Sequence, residues 1–161
     1  MSEPAATRSR VTRIEVRVRV GDSLLAASDD PIFLGLTGSS GREFRLLLAR
    51  GRSLRRKAED HYVLAAPDQP DANVAAAELN DPTHPPLDLA GITGVYLRKN
   101  LSPIPNVRGV GELDDRLELL EAEVTIHGGS GERLRFHRDG PLWLGLNAGL
   151  RINLARHDDA G

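Results

Sequence analysis

The sequence predicts an all-β fold, an antiparallel sandwich or barrel. Three observations carry this. Apolar and polar residues alternate with period two over several stretches. Turn-forming clusters separate seven to nine such short runs. No long amphipathic helix interrupts them.

The elements follow in chain order. Residues 1–10 are polar and read as a disordered tail. Val11 to Val20 sets Ile14, Val16, Val18 and Val20 against Glu15, Arg17 and Arg19, the signature of a strand with one wet face. After Gly21–Pro31 the period returns at Ile32, Leu34 and Leu36, turns at Thr37–Gly41, and resumes at Phe44, Leu46 and Leu48. Ala49 to Glu59 reads as a short helix or a basic loop. The prolines at 67, 70, 82, 85 and 86 exclude a central strand from most of the next stretch, leaving room for a short edge strand around Val74 to Leu79. Strand character returns over Leu89–Asn100 and over Leu117–His127, where a change of parity at Leu119–Leu120 predicts a β-bulge. Leu134–Phe136, Leu142–Leu144 and Leu150–Leu154 complete the set. This organisation is one sandwich domain over 11–156, with a flexible C-terminus over 157–161.

Composition narrows the function classes. The 161 residues have a net charge of −2 and a pI near 6.2, so nucleic acid is not an expected partner. The absence of cysteine excludes disulfides and thiolate metal sites. No apolar run reaches the roughly 20 residues that span a bilayer. The N-terminus lacks the apolar core of a secretory signal, and a cytoplasmic location is the expectation.

Several motifs resemble those of the PLAT (lipoxygenase homology) family of β-sandwiches. Gly21-Asp22, a six-residue gap, then Asp29 before an alternating strand resembles the family's opening, with Ser28-Asp29-Asp30 in place of threonine-aspartate-alanine. Leu89 to Asn100 resembles a second block, with Ala90 for its glycine and Asn100 for its aspartate. Leu117–Val124 lacks the tryptophan that usually begins the third block, and Phe136 with Trp143-Leu144 resembles the closing strand. The match runs in order over most of Ile14 to Leu144, while Gly51 to Pro86 departs from it. The resemblance implies two four-stranded sheets, a binding role toward lipid surfaces or proteins, sometimes with calcium, and no catalysis.

The candidate site residues lie in connections. Asp22, Asp29 and Asp30 could offer calcium several of the six to eight oxygens it takes, with Asn100 as a remote ligand. Asp29 suits a turn-capping role equally well. Leu24 and Leu25 would form an apolar tip for a membrane or partner contact. Arg50, Arg52, Arg55, Arg56 and Lys57, continuing from Arg42 and Arg45, could attract phosphates of an anionic lipid. They equally suit a solvated segment balanced by nearby acids. His127 and His137 flank a hairpin turn and could meet across strands. Trp143 reads as a core or sheet-end anchor. No Gly-x-Ser-x-Gly elbow is present.

The expected function is a non-catalytic binding or assembly module that engages a protein partner or a second copy through loop and sheet surfaces. Calcium-assisted binding to a membrane is the alternative, and a hydrolase acting on sugars or lipids the second. No cofactor beyond calcium is expected.

Overall fold

The computed structural model of the chain describes residues 9–21, 32–51, 53–99, 117–144 and 150–157. Among the described residues eight strands appear: β1 (Val11–Val20), β2 (Ile32–Gly38), β3 (Arg42–Leu46), β4 (Glu59–Leu64), β5 (Ile92–Lys99), β6 (Leu117–Gly128), β7 (Arg133–Leu144) and β8 (Arg151–Arg156). All neighbours pair antiparallel, in the order β3-β2-β5-β8-β7-β6-β1-β4. The order divides into two sets of four, β4-β1-β6-β7 and β3-β2-β5-β8. The sets join at β7–β8 through two residue pairs, Phe136 with Arg156 and His137 with Ala155. Among the described residues there is no α-helix; a 3-10 turn, Leu89–Gly91, leads into β5.

Period-two alternation sorts the side chains. Ile14, Val16 and Val18 of β1 and Ala122, Val124 and Ile126 of β6 are buried, as are Leu34, Phe44, Leu97 and Phe136 from the remaining strands. They belong to one hydrophobic cluster that draws on both sets. Each fully buried Val, Leu, Ile or Phe stabilises the fold by about 1.5–3 kcal/mol.

The parity change in β6 is a bulge. Leu119 pairs with Val20 and Leu142, whereas Glu121 pairs with Arg19 and Asp139, so Leu120 falls outside the ladder. Gly140 faces it from β7, where a side chain would come 2.2 Å from the Leu119 carbonyl oxygen. The irregularity spans both strands, and the two short runs expected around Pro141 are one continuous β7.

β4 was not expected from the sequence, because Asp60 occupies an inward position and breaks the apolar period. Asp60 is buried, accepting hydrogen bonds from the Leu54 N–H (2.5 Å) and the Tyr62 hydroxyl (3.1 Å). Burial, with the neighbouring Asp60 carboxylate, pushes the Tyr62 phenol far above its ordinary pKa, although a Ser53 contact opposes the shift.

The proline-rich connection ties the two terminal strands of the order together. Asn73 accepts from the Val63 N–H (2.7 Å) and donates to the His61 carbonyl (2.7 Å), holding β4. Its own carbonyl accepts from the Ala49 N–H (2.8 Å), and the Ala75 N–H donates to the Leu47 carbonyl (2.7 Å) beyond β3. Asn80, which is buried, accepts from the Arg45 N–H in β3 (2.8 Å). The short strand expected over Val74–Leu79 is therefore a single bridge, Val74 to Leu48, within a turn-rich stitch. Edge strands left open invite pairing with other chains; here amides of this connection occupy both.

Candidate functional site

Two regions concentrate chemistry. The first is one end of the sandwich. The paired ends Val20 and Leu119, Ile32 with Leu46 and Lys99, Arg19 and Glu59, Leu117 and Leu144, and Arg98 with Arg151 lie together there. The connections after β1, β3, β5 and β7 all begin and end at this side. Asp22, Leu24, Leu25, Asp29, Asp30, Arg52 and Asn100 fall in or beside these connections and lie outside the described residues.

Arg50, Arg55, Arg56 and Lys57 are exposed in the β3–β4 connection, which is a loop rather than the helix also allowed by the sequence. Leu54 anchors it, fully buried and in the left-handed backbone region (φ 59°), its N–H on Asp60. The Lys57 N–H donates to the Gly21 carbonyl (3.1 Å), and the Gly21 N–H donates to the Glu118 carbonyl (2.9 Å). The basic loop thus abuts the first residue of the acidic Gly21–Pro31 segment. Arg42 does not join this cluster. Its guanidinium donates to the carbonyls of Asp81 (2.7 Å), Leu79 (3.1 Å) and His84 (3.2 Å) and clamps the proline-rich connection.

The second region is the outer face of β4-β1-β6-β7. Register stacks it into cross-strand rows: Glu59, Arg19, Glu121 and Asp139; His61, Arg17, Glu123 and His137; Glu15, Thr125 and Arg135; Arg13, His127 and Arg133. Five carboxylates, five arginines and three histidines alternate there. Glu15 lies between two imidazoles, with its Oε1 3.2 Å from His61 Nε2 and its Oε2 2.7 Å from His127 Nε2. Burial alone would raise the Glu15 pKa, but the hydrogen bonds and charges of His127 and His61 outweigh it and hold the carboxyl below its usual range.

His127 and His137 do not meet as the sequence reading allowed. His127 pairs across to Arg133, and His137 to Glu123, so each takes a carboxylate of its own. His137 Nε2 lies 3.2 Å from Glu121 Oε1 and 3.4 Å from Asp139 Oδ1. Sequence reasoning missed this trio; the His-x-Asp spacing on a strand beside a parity change was its only trace. Trp143 is half-buried between the inward Leu142 and Leu144 and so is not a core residue.

The opposite sheet carries a tighter ladder. Arg98 donates twice to Glu43 (2.9 Å each) and stacks on Phe33, while the Tyr96 hydroxyl donates to Glu43 (2.7 Å) beneath Arg151. Gly35 makes room for it, since a side chain there would come 1.9 Å from the Tyr96 ring. No helix of the described residues is long and apolar enough to cross a membrane.

No protein-family model and no curated protein sequence matches the chain. Solved structures do. The alpha toxin of Clostridium absonum superposes with a TM-score of 0.58 at 15% identity, covering 92% of this chain and 32% of the toxin. The alpha-toxin of a Clostridium perfringens avian strain gives 0.58 at 15%, covering 95% and 34%. Coral 8R-lipoxygenase, described as activated by calcium through a C2-like domain, gives 0.53 at 16%, covering 91% and 17%. The chain spans about a third of each toxin and under a fifth of the lipoxygenase. At these identities the likeness is one of fold: the chain has the β-sandwich architecture found within these proteins.

Proposed function

We propose that the chain is a PLAT-like, non-catalytic module that docks on an anionic lipid surface with the help of calcium. The docking end is the one where the connections after β1, β3, β5 and β7 converge. The observation that carries this reading is the hydrogen bond from Lys57 to Gly21, which joins the basic loop to the root of the acidic, leucine-bearing segment. Leu24 and Leu25 would enter the interface, and Asp22, Asp29, Asp30 and Asn100 would bind calcium. Arg50, Arg52, Arg55, Arg56 and Lys57 would face lipid phosphates. The likeness in fold to a lipoxygenase whose C2-like domain mediates calcium activation supports the same reading.

A protein partner bound through these loops is the second reading. Strand addition at the terminal strands is disfavoured, because the stitch at Asn73 and Asn80 already engages the Arg45 N–H of β3 and the Val63 N–H and His61 carbonyl of β4.

Co-sedimentation with phosphatidylserine-containing vesicles, with and without calcium, tests the proposal. Binding is expected to rise with calcium. Each charge removed from the basic loop should weaken it about fivefold, from about 1 kcal/mol per basic residue at the surface. Failure to sediment in either condition sinks the lipid reading in favour of the protein partner.

A further inference from the structure

We propose that Glu121, His137 and Asp139 form a three-ligand site for a zinc-like divalent transition-metal ion on the outer face of the sheet. The site is distinct from the acidic connection read above as a calcium site, and it stands whether or not the chain binds lipid.

Local architecture aims the three side chains. His137 and Asp139 are two apart on β7 and so share a face, and Glu121 lies directly opposite Asp139 on β6. Glu121 has that partner only because β7 carries one extra residue, at Gly140-Pro141, between its pairs with Leu119 and Glu121. Bulges commonly re-aim side chains at functional sites. One ligand atom from each of the three residues lies within 4.8 Å of the others. His137 Nε2 sits 3.2 Å from Glu121 Oε1 and 3.4 Å from Asp139 Oδ1. A tetrahedral zinc ion with bonds of about 2.0–2.1 Å holds its ligand atoms about 3.3 Å apart. Two edges of that tetrahedron are therefore already in place.

Electrostatics points the same way. Like charges directly opposite on neighbouring strands destabilise a sheet, yet Glu121 and Asp139 face each other. The Arg19 guanidinium reaches only to 4.0 Å from Glu121. A divalent cation between the carboxylates would remove the repulsion. The donor set selects the metal class: one imidazole nitrogen with two carboxylates suits zinc and its neighbours, whereas calcium takes oxygen ligands alone. Three protein ligands leave a fourth position for water or for a donor from another molecule.

The test is a titration of the full untagged chain at neutral pH, with Co2+ followed by its visible absorption and Zn2+ by calorimetry. One equivalent per chain is expected. His137→Ala and Asp139→Asn should each weaken binding by at least about tenfold, since loss of a partner that only supports a ligand already costs about 10–100-fold. His61→Ala and His127→Ala should leave it unchanged. Asp139 is 82% exposed, so its replacement does not threaten folding. An absence of binding, or equal binding by the wild type and the Asp139→Asn variant, overturns the proposal.

Discussion

Replacing Asn73 by alanine isolates the stitch between the terminal strands. The substitution removes two side-chain hydrogen bonds, to the Val63 N–H and the His61 carbonyl, both 2.7 Å. It leaves the backbone bond from the Asn73 N–H to Val63 (3.2 Å). Each lost bond is worth about 1 kcal/mol net, and a β4 backbone group shielded from water costs up to a further 1–3 kcal/mol. The expected destabilisation is about 2–5 kcal/mol. Asp71→Ala, two residues away, supplies the contrast. It breaks the Arg13–Asp71 ion pair, shorter still at 2.6 Å but with Asp71 half exposed. Such surface pairs are worth about 0–1 kcal/mol. Urea unfolding reads both: with a slope of about 1–3 kcal/mol per molar, Asn73→Ala should lower the midpoint by about 1 M or more and Asp71→Ala hardly at all. Equal midpoints for the two variants would refute the claim that edge-strand backbone pairing, rather than ion-pair distance, sets stability here.

Three further outcomes follow from the buried and charged groups. Asp60→Ala should cost about 2–4 kcal/mol, chiefly by stranding the Leu54 N–H, and should loosen the basic loop; thermal melting checks the first effect and proteolysis within 50–58 the second. Glu15 is held below its ordinary pKa of 4.5 in the folded chain, so the unfolded state binds more proton near that pH. Its contribution is complete above 4.5 and lost as the pH falls through the lowered folded value; Glu15→Gln should flatten the acid limb of a stability–pH series, and parallel limbs would refute this. Both tyrosines ionise above the ordinary 10.0, Tyr96 through its hydrogen bond to Glu43 and Tyr62 through burial. Tyrosinate absorbance at pH 10 should therefore stay low in the wild type and rise in Glu43→Gln by about half the share of one phenol.

Much of the fold was legible because period two survives wherever a strand has one wet face. β1 emerged with its observed limits, Val11 and Val20, and the bulge at Leu120 showed as a change of parity. β4 stayed hidden because an inward carboxylate is satisfied by partners the sequence does not reveal, Leu54 and Tyr62. β7 looked broken at Gly140-Pro141 because these two residues oppose the single Leu120, a pairing only the register reveals. The stitch was illegible for a related reason: Asn73 and Asn80 act on non-local backbone groups and leave no periodic trace. The trio of Glu121, His137 and Asp139 required the register, since sixteen positions separate its first two members. The expected ligands in the Gly21–Pro31 segment and at Asn100 lie outside the described residues.

The alternate connections converge on one end and leave the other to the turns and the proline-rich stitch. The opposite end holds the hairpin turns and the clamp of Arg42 on Asp81, Leu79 and His84. Loops leaving the other side are rooted in strand termini whose inward residues are already committed to packing. On the proposed docking role, substitutions among those inward residues and substitutions in the converging connections would act separately, the first on stability and the second on binding.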